Sequence, residues 1–549
     1  MKSKNIKTTF LNMKRSGILK HLFLFPGKAH FRKLLWGTLP LTLIMLIGSE
    51  VVSGQVKAPQ KIAPIDAPFD MPQLERPQFP DQTFNIQEYG ANPDGEDGNK
   101  DTEAIHKAIE ACHKAGGGTV LFPEGDWHTG PIRVLYDNIN LRIAEEATVH
   151  FSTDIEDYYP LVKVRHEGVE AYNYCPPIYA PEVKNFAVTG QGTLDGNGDE
   201  FWYEWATEGG SREEAAQYRL PLRKNFGKGG GVEGMRPTFL VPWKAENVLV
   251  EGITMRNSPM WNVHPVYCKN VIVRGIEVYA PSNSPNTDGI NPDGCKNMLI
   301  EYNHFNVGDD AIPIKSGLDE DGLRIDIPSK NIVVRHITAK GEHVYGGITI
   351  GSEVSGGIEN IYAYDLTFEG MPAGIKIKSG RGRGNVVKNI YIEDVEMKDM
   401  VGNAIYICPN EYGGRGVATH FRDIHISDVK IDGAKKAIYS YGMPEKWLTG
   451  ITFKNIDIKN AEEGALLQRT KDLALENVSI QAENGPALII DDIIEGNLTN
   501  LSLEPENGQP QLRITGDETG FINIDDSVPG EEMEFRDRAS EDVLEKDGE

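Results

Sequence analysis

Charged side chains that can perform acid–base chemistry occur at three separate places in the chain. Asp288 comes first, the adjacent pair Asp309 and Asp310 follows, and Lys376 and Lys378 come last. Carboxyl groups that are crowded together raise one another's pKa, so one can keep a proton and donate it while another stays ionised and accepts one. This combination of residues predicts an enzyme, provided that the fold brings the three places together.

A repeated short segment indicates how the fold does so. The segment is typically a Lys-Asn or Glu-Asn pair followed by alternating apolar residues, and it reads AENVLVEGITM, CKNVIVRGIEV and CKNMLIEYNHF in three successive copies. The copies are marked by Asn185, Asn247, Asn270, Asn297, Asn331, Asn360, Asn389, Asp423, Gly450 and Asp472. After the second copy the spacing is roughly 22 to 34 residues, and the alternation has a period of two. Both are typical of a solenoid of short strands and not of helical repeats.

The predicted fold class is all-β, a right-handed parallel β-helix of about ten or more coils with an N-terminal capping helix. Each copy supplies an apolar face too small to be stable alone, so stacking buries a continuous apolar column. Residues at equal phase then lie above one another, about 4.8 Å apart. The marker residues themselves have a structural interpretation, as corner residues whose side chains stack. The chemically active residues follow their markers by roughly 12 to 18 positions, which predicts one groove holding His264, Asp288, Asp309, Tyr345, Lys376 and Lys378.

The chain is expected to have four parts. Residues 1–54 are basic at their start and contain the apolar run LLWGTLPLTLIMLIG, which indicates a secretory signal; an uncleaved membrane anchor is the alternative. Residues 55–80 are Pro-rich and aperiodic, as in a linker or an N-terminal arm. Residues 81–524 form the catalytic β-helix, capped by a helix at about 102–114, and the acidic residues 525–549 form a flexible tail. The mature protein is then secreted or periplasmic, without a stable membrane span.

Charge and cysteine content exclude some classes of function. The net charge of −25 argues against a nucleic-acid partner, because no basic stripe offsets it. An acidic substrate would need a local basic patch, for which the candidates are Lys315, Lys376, Lys378, Arg381 and Arg383. The five cysteines have no metal-like spacing, and matching positions in adjacent repeats favour a stack of thiols over a disulfide for Cys268 and Cys295. No metal or other cofactor is predicted.

Ordered motifs give the chain a family resemblance. NSPMWNVHPVYCKN is followed by PNTDGINPDGCKNMLIEYNHFNVGDDAIPIKSG and then by GGITIGSEVSGGIENI, while EYGANPDG, DTEAI and GTLDGNG come earlier. From about residue 84 to about residue 472 the chain resembles glycoside hydrolase family 28, the polygalacturonases. The resemblance implies an inverting, metal-independent hydrolysis of α-1,4 galacturonosyl linkages in a pectic polysaccharide or oligogalacturonide.

The resemblance also assigns roles to the three aspartates. Asp309 would protonate the glycosidic oxygen as the general acid, while Asp288 and Asp310 would hold and deprotonate the attacking water. Inverting glycosidases separate their carboxyl groups by about 6.5 to 9.5 Å, a range that stacked coils can provide. An isolated Gly-Asp-Asp is more often only a turn. Its phase beside Asn-Thr-Asp-Gly favours the catalytic interpretation.

Two departures from the family pattern concern substrate binding. Family members usually have His directly before the Gly-Gly that leads into IGSE, where this chain has Tyr345, with His343 two positions earlier. Either residue takes the role of that His or lies on the surface of the loop. The usual Arg-x-Lys is replaced by Lys376 and Lys378, and Lys lacks the bidentate fork of Arg.

The remaining candidates concern the walls of the groove. The predicted substrate-binding residues are Lys376, Lys378, His343, Tyr345, His264 and Lys315, and Trp261 is either a groove residue or a buried one. Glu353 is either a ligand contact or a corner residue. GSEVSGG and the inserts at about 198–234 and 316–330 resemble loops of bacterial members that act from chain ends.

Alternative functions stay open at this stage. A hydrolase of rhamnogalacturonan or of substituted galacturonan would share the fold and the aspartates. A polysaccharide lyase would need calcium ligands and a basic Arg or Lys, and the intact aspartate motifs argue against it. A catalytically decayed pectin-binding β-helix would keep affinity without turnover.

Overall fold

The computed structural model describes residues 58–93, 100–206 and 235–544, and the predicted secretory signal lies outside these ranges. The chain folds as a right-handed parallel β-helix, as predicted, with 23 strands in one hydrogen-bonded sheet that winds around the core. Within the described ranges no helix is long and apolar enough to cross a bilayer.

The helices are few and short. In the described part of the chain the α-helices are α1 (Lys100–Lys114), α2 (Trp202–Glu204) and α3 (Asp319–Ile325), and 3₁₀ turns occur at Ile86–Tyr89, Ile155–Tyr158, Gly530–Glu532 and Glu541–Val543. The strands of the N-terminal half are β1 (Thr83–Asn85), β2 (Gly118–Phe122), β3 (Gly125–Thr129), β4 (Ile132–Arg133), β5 (Ile139–Ile143), β6 (Ala147–Phe151), β7 (Val162–His166), β8 (Val169–Asn173), β9 (Ile178–Pro181), β10 (Lys184–Gly190), β11 (Thr193–Asp195), β12 (Leu240–Trp243), β13 (Glu246–Glu251), β14 (Thr254–Arg256), β15 (Lys269–Arg274) and β16 (Glu277–Tyr279). Those that follow are β17 (Lys296–Asn306), β18 (Ile312–Ile314), β19 (Ser329–Lys340), β20 (Ile348–Ile350), β21 (Ile358–Glu369), β22 (Ile375–Lys378), β23 (Val386–Cys408), β24 (His420–Tyr441), β25 (Leu448–Glu504), β26 (Leu512–Thr515), β27 (Gly520–Ile524) and β28 (Met533–Phe535).

The apolar alternation of the repeats produces the core. Inward-facing side chains at one phase pair in parallel register from coil to coil and form a column of Val248, Val271, Met298, Ile332, Ile361, Ile390, Ile424 and Ile451. All of these side chains are buried. Because every coil adds apolar area to the same column, the column fixes the register that positions the loops beside it.

The marker residues turn the corner before each of these strands. Asn247, Asn270, Asn297 and Asn331 all have φ between 56° and 59°, a left-handed conformation that Asn tolerates better than most residues. Their side chains form the expected ladder, in which each amide donates to the carbonyl oxygen of the preceding Asn at 3.0 to 3.1 Å. The marker residues are therefore corner residues with stacked side chains, as the sequence predicted.

Helix α1 covers the N-terminal end of the solenoid and begins two residues before the predicted start at Thr102. It buries Ala104, Ile105, Ala108, Ile109 and Cys112 in the main core. The apolar side of the helix thus covers coil edges that would otherwise be exposed.

Residues 58–80, expected to be a linker or an arm, lie along the outer face of the sheet. Ile65 and Leu74 pack on outward-facing apolar residues of β10, β13, β15, β17 and β19. Arg335 donates to the backbone oxygen of Ala63, and Arg274 to that of Pro59. The arm therefore covers both an apolar stripe and buried guanidinium groups.

The C-terminal boundary differs from the prediction. The flexible tail was expected from residue 525, but β28 pairs with β26 and Leu544 forms a bridge with Ile522. The acidic residues of this segment lie on the solvent side of a last partial coil, while Val528 and Ala539 are buried against the core. Acidic composition alone therefore does not make residues 525–544 a tail.

Candidate active site

The three predicted aspartates lie on adjacent coils. Asp288 is in the turn between β16 and β17, and Asp309 and Asp310 are in the turn between β17 and β18. The amide of Gly289 donates to the backbone oxygen of Asp310 at 3.1 Å, so the two turns are stacked. The next coil follows directly, because the amide of Ala311 donates to the backbone oxygen of Gly346 at 2.7 Å.

Small and hydroxylated residues hold the Gly-Asp-Asp turn in place. The amide of Gly308 donates to the hydroxyl of Thr287 at 2.9 Å, and that hydroxyl lies 2.7 Å from the hydroxyl of Ser284. A Cβ at position 308 would lie only 2.1 Å from the backbone oxygen of Ser284. Glycine is therefore needed for the turn to approach the preceding coil and to bring the aspartates together.

Asp310 is held in its ionised form by two lysines. Lys378 Nζ lies 2.7 Å from Asp310 Oδ2, and both side chains are almost completely buried. Burial alone would raise the pKa of Asp310, but the ammonium groups of Lys378 and Lys376 lower it below the usual Asp value. Burial opposes and Asp310 favours the charge on Lys378, whose pKa is raised well above its usual value. The site therefore contains a permanently ionised carboxylate.

Asp309 has the opposite property. Burial and the neighbouring charge of Asp310 raise the pKa of Asp309 to about 6. Its Oδ2 receives a long contact of 3.5 Å from the Asn286 side chain, and its Oδ1 accepts the amide of Asp310 at 2.9 Å. Asp309 can therefore keep a proton in mildly acidic solution and release it to a substrate.

Asp288 completes the carboxyl cluster. Burial raises its pKa well above the usual Asp value, and repulsion from Asp309 adds to the effect. Asp288 Oδ2 accepts a hydrogen bond of 2.7 Å from Asn291 and lies 3.6 Å from Lys315 Nζ. Because Asp288 and Asp309 repel each other, the two share one proton over a range of pH.

Two carboxylate oxygens point to a binding position for a small polar group. Asp288 Oδ1 and Asp310 Oδ1 are buried and have no hydrogen-bond partner among the described residues. A Cβ on Gly346 would lie 2.7 Å from Asp310 Oδ1, so glycine at this position leaves the oxygen uncovered. Buried acceptors of this kind normally bind a water or a ligand.

The predicted substrate-binding residues fall into two groups. Lys376 lies near the cluster, with its ammonium 3.6 Å from Glu411, whereas Tyr345 is half exposed on the loop beside Gly346. His343 bonds to Asn306 through Nε2 at 2.8 Å. Within the described residues, neither His343 nor Tyr345 forms a hydrogen bond to Asp288, Asp309 or Asp310. The substitution of the family His by either residue stays a prediction.

His264 was expected to line the groove, and the structure corrects this. Its side chain is fully buried, with Nδ1 3.4 Å from the Thr238 hydroxyl and Nε2 3.6 Å from Asp293. Trp261 is buried as well, and its ring lies edge-to-face with His264 at 4.9 Å. Both side chains lie in a turn and point into the protein, below the surface of the groove. The period-two pattern applies to strands and does not predict the direction of side chains in a turn.

The basic patch predicted from the sequence is largely neutralised by acidic partners. Lys315 pairs with Glu353 at 3.0 Å. Arg381 pairs with Glu445, and Arg383 donates to Ser352 at 2.8 Å. The positive charge that faces a substrate is therefore smaller than the count of basic residues suggests.

Sequence reasoning missed several residues of the site. Asn291 and Asn286 bond to the aspartates, and Arg236 donates to Asn286 at 2.9 Å. The exposed Tyr412 lies under the guanidinium of Arg383 at 5.4 Å. Asn286 and Asn291 stand within three residues of Asp288, so local spacing was a usable signal for them; Arg236 and Tyr412 carry no such signal.

A hairpin packs beside Lys315 and Glu353. Strands β7 and β8 pair antiparallel, and the turn between them contains Gly168. The amide of Leu318, just before α3, donates to the backbone oxygen of Gly168 at 2.9 Å, and Asp321 accepts the amide of Glu170. The hairpin and the segment around α3 therefore form one wall next to Lys315 and Glu353.

Comparisons with known proteins agree with this geometry. The profile of Glycosyl hydrolases family 28 matches residues 168–462. A probable polygalacturonase of Vitis vinifera is 32% identical over 389 residues, covering 68% of this chain and 74% of that protein. The crystal structure of a hyperthermoactive exopolygalacturonase from Thermotoga maritima superposes with a TM-score of 0.67 at 36% identity, over 74% of this chain and 93% of that one. A family 28 exopolygalacturonase of Yersinia enterocolitica shares the fold, with a TM-score of 0.62 at 19% identity over 82% and 79% of the two chains. The chain therefore belongs to glycosyl hydrolases family 28, the polygalacturonase family, and is a glycoside hydrolase.

Proposed function

We propose that this enzyme hydrolyses galacturonosyl linkages of pectic chains with inversion at the anomeric carbon. The observation that carries the proposal is the contrast between two adjacent carboxyl groups. Asp309 holds a proton up to about pH 6, whereas Asp310 is kept ionised by Lys378. One protonated and one ionised carboxyl group are what an inverting glycosidase requires.

In the proposed step, Asp309 donates its proton to the glycosidic oxygen while the bond from that oxygen to the anomeric carbon breaks. A water molecule attacks the same carbon from the opposite face and loses a proton to the pair Asp288 and Asp310. The unpartnered Oδ1 atoms of these two residues are the acceptors that support this placement of water. The proton that leaves Asp309 is thus replaced by the one taken from water, and turnover needs no other reactant.

The substrate class is proposed from charge and from the relatives. The relatives from Vitis vinifera and Thermotoga maritima are named polygalacturonase and exopolygalacturonase. Lys376 and Lys378 supply positive charge beside the cluster, which suits a galacturonate carboxylate. Lys376 stands in place of Arg and cannot form the bidentate hydrogen bonds of a guanidinium group with a substrate carboxylate. Rhamnogalacturonan or substituted galacturonan is therefore the second candidate substrate.

Action from chain ends is the proposed mode. The wall formed by the β7–β8 hairpin and the segment around α3 supports a groove that is closed at one end, because Gly168 and Leu318 are joined by a hydrogen bond there. We also propose that residues 1–54 direct the protein out of the cytoplasm and that the mature chain acts on pectic material outside the cell.

The substrate and the mode are tested together by product analysis. The mature chain is incubated with polygalacturonic acid, with a ladder of oligogalacturonides and with rhamnogalacturonan, and early products are separated by size. Monomer or dimer as the first product, with a slow fall in viscosity, supports end-directed hydrolysis of galacturonan. A mixture of mid-sized products contradicts the closed groove, and turnover of rhamnogalacturonan alone contradicts the proposed substrate.

A further inference from the structure

Lys315 occupies a position between a catalytic carboxyl group and a second acidic residue. Its Nζ lies 3.0 Å from Glu353 and 3.6 Å from Asp288 Oδ2. The same ammonium lies 4.3 Å from the ring centroid of Trp261. The side chain is only 5% exposed, so its charge is already compensated inside the protein before a substrate arrives.

The hairpin wall holds Glu353 in place. A Cβ on Gly168 would lie 3.0 Å from Glu353 Cγ and 2.8 Å from Leu318 Cβ, and Gly168 has a φ of 79°. The backbone oxygen of Glu353 also accepts the amide of Ser316 at 2.7 Å. The tip of the hairpin therefore packs directly against the partner of Lys315, and a larger residue at the tip would push against it.

A second set of contacts connects Trp261, on the other side of Lys315, with the same hairpin. The ring of Trp261 packs on His264, whose Nε2 lies 3.6 Å from Asp293. Asp293 is bonded by Arg165 of β7 at 2.8 Å, and Arg165 Nε donates to the backbone oxygen of Gly168 at 3.2 Å. The contacts thus form a closed ring from the hairpin through both sides of Lys315.

We propose that Lys315 is a positioning residue for Asp288, and that it directs the proton shared by Asp288 and Asp309 to Asp309. The hairpin holds Lys315 for this task through Gly168 and Arg165. This inference rests on the proposed function, because it assigns a regulator to the same acid–base pair.

The contacts of the two carboxyl groups explain the direction. Asp288 Oδ2 has Lys315 and a 2.7 Å hydrogen bond from Asn291, and both favour the ionised form. Asp309 accepts the 3.5 Å contact from Asn286 and one backbone amide, and Lys378 and Lys315 also lower its pKa although neither forms an ion pair with it in the described part of the chain. These contacts oppose the rise in the pKa of Asp288 that burial and Asp309 cause, and so favour Asp288 as the ionised member of the pair, with the proton on Asp309.

Other charges face this group and enter the pH dependence. Those acting on Asp288 are Asp309, Asp310, Lys315 and Arg236; those acting on Lys315 are Glu353, Asp288, Asp310 and Lys378; and those acting on Glu353 are Lys315 and Arg383. Burial opposes ionisation of Glu353, yet Lys315 and Arg383 lower its pKa to about 2. Glu353 therefore stays ionised in mildly acidic and neutral solution. Its negative charge partly offsets the attraction of Lys315 for Asp288.

Kinetics of Lys315→Met, Lys315→Arg and Glu353→Gln test the assignment. For Lys315→Met we expect kcat to fall by about 100-fold with KM within about threefold, since the missing charge acts on the acid pair. Lys315→Arg should restore a large part of kcat. A raised KM with unchanged kcat would overturn the proposal and make Lys315 a substrate ligand.

The direction in which the pH profile of kcat/KM moves in Glu353→Gln distinguishes an electrostatic role of Glu353 from a packing role. With Glu353 neutral, Lys315 loses its nearest acidic partner and Asp288 and Asp310 remain, so the pKa of Asp288 falls and the acid limb of kcat/KM moves to lower pH. Glu359→Gln is the control, because Glu359 is paired with Lys330 and Lys388 on the outer face of the sheet. An acid limb that is the same in Glu353→Gln and in the wild type would contradict the proposal.

The role of the hairpin is tested by Gly168→Ala against Gly485→Ala. Both glycines have positive φ, 79° and 73°, but a Cβ on Gly485 meets no atom within 4 Å. Backbone strain is thus matched, and the two variants differ in the contacts of the new Cβ with Glu353 and with Leu318. We expect Gly168→Ala to change the acid limb and kcat, while Gly485→Ala leaves both as in the wild type. Equal behaviour of the two variants would overturn the proposed link.

A measurement without substrate separates this proposal from the proposed function. In the double variant Glu353→Gln, Lys315→Met, the missing ammonium no longer lowers the pKa of Asp288, Asp309 or Asp310, and the pKa of Asp288, the carboxyl group 3.6 Å from Lys315, should rise further. A carboxyl group whose pKa is raised by folding contributes stability to the folded protein that is lost as pH rises. The difference in thermal midpoint between the double variant and Glu353→Gln should therefore be larger at pH 7 than at pH 4. A pH-independent difference would contradict the role of Lys315, whereas absence of turnover by the wild type would contradict only the proposed function.

Discussion

Lys378 Nζ and Asp310 Oδ2 lie 2.7 Å apart although 68 residues separate them in the chain. One coil lies between them, and parallel pairing of β18 with β20 and of β20 with β22 brings the two side chains together. Both side chains are shielded from solvent, so each is the main counter-charge of the other.

Lys378→Met should therefore damage the enzyme in two ways. It leaves a buried carboxylate without its ion pair, which costs roughly 3–5 kcal/mol of folding free energy. It also raises the pKa of Asp310, so the acid limb of the pH–rate profile moves to higher pH. Thermal unfolding and initial rates measure the two effects. The control is Lys388→Met, because Lys388 pairs with Glu359 at the surface and should cost no more than about 1 kcal/mol.

Asp309→Asn should abolish most of the turnover without unfolding the protein. Loss of a general acid typically lowers the rate by about 100- to 10,000-fold. The substitution removes a carboxyl group that Asp310 repels, so the thermal midpoint should stay at or slightly above that of the wild type. Asp399→Asn is the matched control, since Asp399 is largely exposed on the outer face. A large drop in the midpoint would mean that Asp309 is chiefly structural.

The rate should follow a bell-shaped dependence on pH with its maximum in mildly acidic solution. Above about pH 6 the acid loses its proton, because the pKa of Asp309 is raised to that value. On the acid side the rate should fall as the carboxylates that accept the proton of water become protonated; Lys378 and Lys376 overcome burial and lower the pKa of Asp310, whereas burial and Asp309 raise that of Asp288. These limits belong to the coupled carboxyl groups as a set. A maximum above pH 8 in kcat/KM would contradict the assignment.

The corner ladder should contribute to stability independently of catalysis. Asn331→Ala places a β-carbon in a left-handed conformation and removes two ladder hydrogen bonds. The expected cost is about 2–4 kcal/mol. Asn331→Gly removes the same bonds without the conformational penalty, so it should be less destabilising by about 1 kcal/mol. The thermal midpoints of Asn331→Ala and Asn331→Gly measure this difference. Equal midpoints would contradict a contribution of backbone strain at this position.

Much of the fold was predictable because the repeat imposes the same demand in every coil. The markers Asn297 and Asn331 indicated the corners of the coils, and the period-two pattern indicated the core-facing residues. The phase relative to these markers also grouped Asp288 with Asp309, because equal phase means stacked positions in a parallel solenoid. Local repetition thus carried both the architecture and the main acidic cluster.

Details that depend on a single distant contact were not predictable. The buried position of His264 depends on Asp293, and the role of Lys315 depends on Glu353 and on the hairpin that carries Arg165. Arg165 is 128 residues from Asp293, and no repeat links the two. The period of a strand does not report how a turn orients its side chains, so burial in the turns had to come from the structure.

The most direct test of the proposed chemistry is proton NMR of fresh product from oligogalacturonides, followed from the first minutes after the enzyme is added. Asp309 and Asp310 as acid and ionised carboxylate, with water between Asp288 and Asp310, predict that the new reducing end appears as the β-anomer and only later equilibrates to α. Initial release of the α-anomer would show net retention and would contradict the inverting mechanism.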